Sequence, residues 1–499
     1  MPISPHLTPV IAAFLLSGCA AVGPNFEAPV ADAPASWTGV PATEHAANES
    51  VTLTRPFDPE WWNSFHDAEL SNLVRRAVAE NSDVLVATAR LAQSRAQRGA
   101  TAADALPSGN VNASATEELL SANGAISLLS GGDPATTSNG LGSTNGAVPS
   151  TSKIPAFSLY QTGFDASWEL DIWGRVRREI ESADASVEAS AEGRHAAVLS
   201  TVAEVARDYL QLRGIQETLR ITRANLASAN ESAALTQARS TAGLSTDLDV
   251  AQAQAQVEQT ASLIPTLEQQ EAQSINQIGL LLALPPESLR AELAHAQPVP
   301  PVPPVVPLGL PSELAQRRPD IREAEARLHA ATADIGVAQA NFYPRVTLSG
   351  SASLQALQFH DLGSWNSLTY GIGPSLTLPI FDGARIARTV ELRRGQQQEA
   401  AITYRHTVLL AFTEVDNALI AYSREQVRRD HLAAQVVQSD RALSLARDRY
   451  RQGLADYLVV LTSQRTALQA QQELADSTTT ISTNLVALYK ALGGGWDKA

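Results

Sequence analysis

The stretch Asp83-Val84-Leu85-Val86-Ala87-Thr88-Ala89-Arg90-Leu91 returns as Asp320-Ile321-Arg322-Glu323-Ala324-Glu325-Ala326-Arg327-Leu328, an offset of 237 residues (83 to 320, 90 to 327). Leu106-Pro107 returns as Tyr343-Pro344 at the same offset. Further on, Trp173-Gly174 answers to Phe381-Asp382-Gly383, and Ala242-Gly243-Leu244 to Gln452-Gly453-Leu454, at offsets of 209 and 210. Self-similarity at a fixed spacing names the building block of a fold. The block here is a short helical region, a pair of strands and a very long helical hairpin, used twice. The organisation expected is residues 1–18 as a signal peptide, 19–64 as a tether, 65–297 as the first repeat, 298–311 as a proline-rich linker and 312–499 as the second repeat.

The strands announce themselves by alternation. In residues 164–172, Phe164, Ala166, Trp168, Leu170 and Ile172 alternate with Asp165, Ser167, Glu169 and Asp171. Residues 345–354 and 370–380 follow the same rule, and a weaker fourth segment lies near 110–116. Period two means one apolar and one polar face. Segments approaching the roughly 9–11 residues that span a bilayer, with strongly polar second faces, point to a transmembrane barrel with a wet lumen. Between the first two strands, residues 121–152 are rich in Gly, Ser, Thr and Asn; the drop in offset from 237 to 209 makes this a loop insertion. Such a loop on a barrel faces outward. Four strands cannot close a barrel, since about eight is the smallest number that does, and an open edge in lipid leaves backbone groups unsatisfied. The chain must therefore oligomerise.

Most of the remainder reads as helix. Residues 383–492 contain no proline, and 174–284 contain only Pro265. Val202, Val205, Tyr209, Leu212, Leu219 and Leu226 fall on a heptad seam, as do Val408, Phe412, Val415, Leu419 and Tyr422. At about 1.5 Å per residue, an unbroken run of that length would be improbable. Gly243-Leu244 and Gly453-Leu454 fold each run into a hairpin. Glycine at those points takes the left-handed conformation that ends a helix. Thr246 with Asp249 makes a capping box for the returning helix, and Asp456 is placed to cap the other. If several such tips converge around a ring, Asp247, Asp249 and Asp456 form acidic rings that favour cations and constrict an entrance. The Gly243-Leu244 and Gly453-Leu454 turns are then docking points for a partner.

The lone cysteine, Cys19, follows the apolar run from Val10 to Leu16 in Leu16-Ser17-Gly18-Cys19, a lipobox. Lipidation of its thiol with diacylglycerol, and palmitate on the new N-terminus, is expected. Among the nine histidines there is no HExxH and no pair at metal-ligand spacing, and no Walker loop, GxSxG elbow or GxGxxG occurs. These absences argue against an enzyme, a metal site or a cofactor. A net charge of −15 argues against nucleic acid. Arg175, Arg177 and Arg178, at the strand-to-helix junction, are placed either to meet lipid headgroups or to pair with Asp171 and Glu179, and pairing is the expectation.

Gly23-Pro24-Asn25-Phe26, Trp61-Trp62 with Phe65, Arg317-Arg318-Pro319-Asp320-Ile321, Phe342-Tyr343-Pro344 and Pro379-Ile380-Phe381-Asp382-Gly383 lie in order along the chain. Tyr450-Arg451-Gln452-Gly453-Leu454 and Ala491-Leu492-Gly493-Gly494-Gly495-Trp496 complete the set. Together they resemble the outer-membrane efflux lipoproteins of the OprM/NodT type, within the TolC-like outer membrane factor family. That resemblance implies a homotrimer whose chains each give four strands to a twelve-stranded barrel, continued by a periplasmic α-helical barrel. It implies a periplasmic adaptor and an inner-membrane pump of the resistance-nodulation-division (RND) class as partners, with outer-membrane lipid around the barrel. Tyr450, Asp249 and Asp456 would lie in the constricting network; Val459 and Thr462 stand where relatives often carry aspartates. A type I protein secretion duct is the alternative that the resemblance leaves open.

Overall fold

The computed structural model describes residues 21–30, 34, 36–37, 51–53, 58–119 and 156–496. Cys19 with its signal peptide, and the Gly/Ser-rich insertion at 121–152, lie outside the described residues. In chain order the elements are β1 (Val51–Leu53), α1 (Ala68–Glu80), α2 (Ser82–Ala103), β2 (Ser108–Glu118), β3 (Phe157–Leu170), α3 (Arg175–Thr241), α4 (Asp247–Leu281) and α5 (Arg290–Leu293). There follow β4 (Val305–Pro307), α6 (Pro311–Arg317), α7 (Pro319–Ala340), β5 (Arg345–Ala356), β6 (Leu368–Thr377), α8 (Arg385–Arg451) and α9 (Tyr457–Ala491).

The duplication is visible in the lengths. Helices α3 and α8 both have 67 residues, α4 and α9 both have 35, and α2 and α7 both have 22. One repeat departs internally, because Pro265 sits inside α4. No described helix is long and apolar enough to cross a membrane.

The chain forms two compact units. The first, residues 1–25, 97–182 and 332–394, holds a four-stranded antiparallel sheet in the order β2-β3-β5-β6. Its register places Val111 opposite Phe164, Phe164 opposite Ala352 and Ala352 opposite Tyr370. Trp168, Leu348 and Pro374 form another such row, as do Leu170, Val346 and Leu376. These rows share one face, and Asn110, Asp165, Ser351 and Gly371 lie on the other. The apolar face is open: Val111, Tyr370 and Ile372 are each 79% exposed. A water-soluble sheet would bury such a face. Among the described residues β2 and β6 are the edge strands of this sheet.

The strand boundaries differ from the alternation pattern, most at β3 and β6, while β2 and β5 run a few residues longer than expected. Strand β3 begins at Phe157 rather than 164, and β6 spans Leu368–Thr377 rather than 370–380. In the added part of β3, Phe157 and Leu159 fall on the polar face with Asp165, and Ser158 and Thr162 on the apolar face with Phe164, which breaks the alternation that identifies a strand.

The second unit, residues 26–96, 183–331 and 395–499, is helical. Its core gathers Trp61, Phe65, Leu70, Leu73, Tyr209, Leu212, Tyr422, Leu485 and Tyr489, all nearly inaccessible. The ring of Trp61 stacks on Tyr489 at 5.0 Å, and its Nε1 donates to the Gly494 carbonyl at 3.2 Å. Asp67 caps α1 by accepting from the amides of Glu69 and Leu70 at 2.9 and 3.0 Å, and it accepts the Tyr209 hydroxyl at 2.7 Å. Here the tether and linker are more than connectors. Strand β1 pairs in parallel with β4, and Val306 and Leu308 are buried. Part of the 298–311 run is thus tucked into the core.

Candidate functional site at the hairpin tips

Each long helix ends in the same way. At the first tip Gly243 has φ of +75°, and the amides of Gly243 and Leu244 donate to the carbonyls of Ser240 and Arg239, both at 2.8 Å. At the second, Gly453 also has φ of +75°, and Gly453 and Leu454 donate to Tyr450 and Arg449 at 3.0 and 2.8 Å. A left-handed residue that turns the chain back onto its last carbonyls is the Schellman ending, and glycine adopts it without steric cost. Both turns push a leucine outward: Leu244 and Leu454 are each 66% exposed.

The returning helices start differently. Thr246 caps α4 through its hydroxyl, which accepts the Asp249 amide at 3.2 Å, while Asp249 Oδ2 accepts the Thr246 amide at 3.0 Å. This is the reciprocal capping box. Asp456 occupies the equivalent position before α9, but its side chain makes no capping bond. Three residues on stands Val459 where the first tip has Asp249. The reciprocal half of the box is therefore missing. The cap expected of Asp456 from sequence is a cap in position only.

The two tips touch through Tyr450, which is buried. Its hydroxyl lies 3.3 Å from both Ser245 Oγ and Thr236 Oγ1, and Ser245 donates to Asp249 Oδ2 at 2.9 Å. The guanidinium of Arg239 sits 4.8 Å above the Tyr450 ring and donates to the carbonyls of Arg451 and Leu244 at 3.3 and 3.5 Å. Tyr457 meets Tyr450 edge-on at 5.6 Å. Higher up, Gln464 donates to Ser232 at 2.7 Å and Arg465 to Gln256 at 2.7 Å. Of the acids anticipated here, Asp249 joins Tyr450 in one network. Asp247 receives only a 3.5 Å contact from Ser240, and Asp456 faces solvent outside the network.

The charges follow from these contacts. Partial burial pushes the Asp249 carboxyl up, but the Thr246 amide and the Ser245 and Thr246 hydroxyls outweigh it and hold the group below its ordinary value. Burial, with Tyr450 alongside, pushes the Tyr457 phenol up to about 12. At physiological pH Asp249 is thus ionised and Tyr457 neutral. The three longer bonds at exposed or half-buried positions, Arg239 to the Arg451 and Leu244 carbonyls and Ser245 to Tyr450, contribute about 1 kcal/mol or less each. The shared apolar cluster is small: Ala253, Ala446, Tyr450, Tyr457, Val460 and Leu461. Contacts of this strength join the two tips of one chain.

Arg239, Ser245, Thr236 and Tyr457 escaped the sequence reading. Arg239 had a signal, since its counterpart at offset 210 is Arg449, the residue whose carbonyl closes the second turn.

Residues 73–284 and 310–494 match the outer membrane efflux protein family. The chain is 33% identical over 486 residues to outer membrane protein OprJ of Pseudomonas aeruginosa, covering 97% of this chain and 95% of that one. It is 32% identical over 491 residues to the pyoverdine export outer membrane protein OpmQ of the same organism, covering 98% and 97% respectively. The solved outer-membrane channel OprN superposes with a TM-score of 0.83 at 33% identity, over 96% of this chain and all of that one. With both repeats matched in order and nearly the full length covered, the chain belongs to the outer membrane efflux protein family.

Proposed function

We propose that three copies of this chain assemble into the outer-membrane outlet of a tripartite efflux pump of the RND class. Three four-stranded sheets close into a twelve-stranded barrel, and the hairpins continue it into the periplasm as a helical tunnel. The observation that carries this reading is the sheet, whose apolar face is open and whose edges β2 and β6 lack partners. Lipid satisfies the first property and neighbouring copies the second. OpmQ, by its name an export protein, is a full-length relative. Cys19, lipidated, anchors the tether.

The hairpin tips form the periplasmic mouth. Asp247, Asp249, Tyr450 and Asp456 act there as gate and selectivity residues, with Asp249 and Tyr450 holding the two hairpins of one chain together. Gly243, Leu244, Gly453 and Leu454 present the adaptor with two like turns per chain, each offering an exposed leucine. Energy comes from the pump, so the duct needs no cofactor. Cross-linking in intact cells, pull-down through a C-terminal tag and mass spectrometry test the assignment. Recovery of an adaptor with a proton-driven pump supports it. Recovery of an ATP-driven exporter with a secreted protein moves the chain to type I secretion.

A further inference from the structure

A cavity of about 420 Å³ lies within the sheet-bearing unit, between the ends of its strands and the helices that follow them. Three arginines line it, Arg175, Arg345 and Arg385, with Glu169 and Asp171 as the acids. The duplication explains why these charges do not balance. Arg175 opens α3 and Arg385 opens α8, at the repeat offset of 210. Arg175 is neutralised on both sides: Glu169 accepts from its Nε and Nη2, each at 2.9 Å, and Glu179 from its Nη1 at 2.8 Å. The counterpart of Glu179 in the second repeat is Thr389. That of Glu169 is Leu378 or Pro379, according to which of the two offsets is used. The second copy has kept the arginine and lost both acids.

The remaining acids do not fill the gap. Asp171 accepts from the amides of Val176 and Arg177 at 3.1 and 2.9 Å and pairs with the Arg177 side chain at 3.2 Å. Asp382, three residues before Arg385, accepts the Ile386 amide at 2.8 Å. Arg345 approaches only Glu169, at 3.6 Å, and that carboxylate already holds Arg175. Among the described residues Arg385 has no ion pair. Glu169 and Arg345 stand on the polar face of the sheet, in line with Ser167 and Thr347. Trp173 and Tyr343, stacked at 4.8 Å, form a flat apolar wall of the same cavity.

We propose that this cavity is an anion site in which Arg345 and Arg385 receive the phosphate or carboxylate group of an organic anion, with the Trp173–Tyr343 wall beside its apolar part. Planar guanidinium groups match such oxygens two at a time, and the volume falls in the range of small-ligand pockets. The anion is either a solute in transit or the headgroup of an anionic lipid. The first source rests on the duct reading, through the polar face as lumen wall; binding itself does not.

Calorimetric titration of the purified protein with pyrophosphate tests the site directly. Saturable binding should weaken about tenfold in Arg385→Gln and in Arg345→Gln, the loss of one charged contact, and persist in Arg385→Lys. Arg388→Gln, which removes a residue paired with Glu391 outside the cavity, should bind as the parent does. Two further readouts locate the source. Pyrophosphate block of current in phosphatidylcholine bilayers, relieved by Arg385→Gln, identifies a solute site. Anionic phospholipid retained on extraction, and lost in Arg385→Gln, identifies a headgroup site. No saturable binding and no retained lipid, or binding that both glutamine variants leave unchanged, overturns the proposal. A protein that binds pyrophosphate but conducts no current would sink the duct reading and leave the anion site standing.

Discussion

At the first tip the Asp249 carboxylate collects the Thr246 amide and two hydroxyls, whereas the Asp456 side chain at the second makes no capping bond. Asp249→Ala should therefore destabilise the start of α4 by about 1 kcal/mol, seen as faster amide exchange over residues 246–250. Asp456→Ala should leave exchange at the start of α9 unchanged. Because the folded state holds Asp249 below its ordinary value, its contribution is complete at neutral pH. It is lost only as acid carries the pH down through that lowered value. Glu69 behaves oppositely. Burial first, then the neighbouring Glu292 carboxyl, push it up to about 6, against the opposing charge of Arg213, with Asp67 adding to the rise. Glu69 Oε1 is buried with no donor, and Arg76 is engaged with Glu292 at 3.0 Å. A raised acid pKa means the ionised form is the penalised one, so the penalty builds as the pH rises from the ordinary carboxylate range through about 6 and is complete above it. Glu69→Gln should raise the melting temperature at pH 7.5, with the gap closing towards pH 5. Sequence made Asp249 legible because the capping box is a local pattern. It left Glu69 hidden, because Glu292 lies far along the chain.

The helices were the most readable elements. Their ends follow from Gly243, Gly453 and the proline-free runs, all of them local signals. Strand β3 lost its first seven residues because Phe157 and Leu159 on its polar face and Ser158 and Thr162 on its apolar face break its alternation, and the β1–β4 pair was missed altogether. Three residues carry no periodicity, and pairing across 254 positions (51 to 305) leaves no trace in either segment. Contact between the tips was likewise not readable, since it depends on Arg239 reaching the Tyr450 ring and the Arg451 carbonyl. Arg239→Ala removes that reach while keeping both turns. Larger or more frequent openings of the reconstituted channel, with the helical circular dichroism unchanged, are the expected result. Gly243→Ala tests the turn alone. A Cβ there meets no atom within 4 Å, so the cost is the left-handed backbone, about 1 kcal/mol.

At the scale of the molecule, composition and alternation already required partners, because four strands leave two edges. They did not say how many copies, since nothing in one chain's pattern counts its neighbours. Native mass spectrometry of the detergent-extracted protein should give three times the chain mass. Dilution should yield trimers or unfolded chains, with no folded monomer between. The bare edges β2 and β6 then make supply a matter of dosage. On the proposed count of three chains per barrel, completed ducts would rise with the cube of the free chain concentration wherever assembly is near equilibrium. A cell that halves its free pool of chains would keep about one duct in eight.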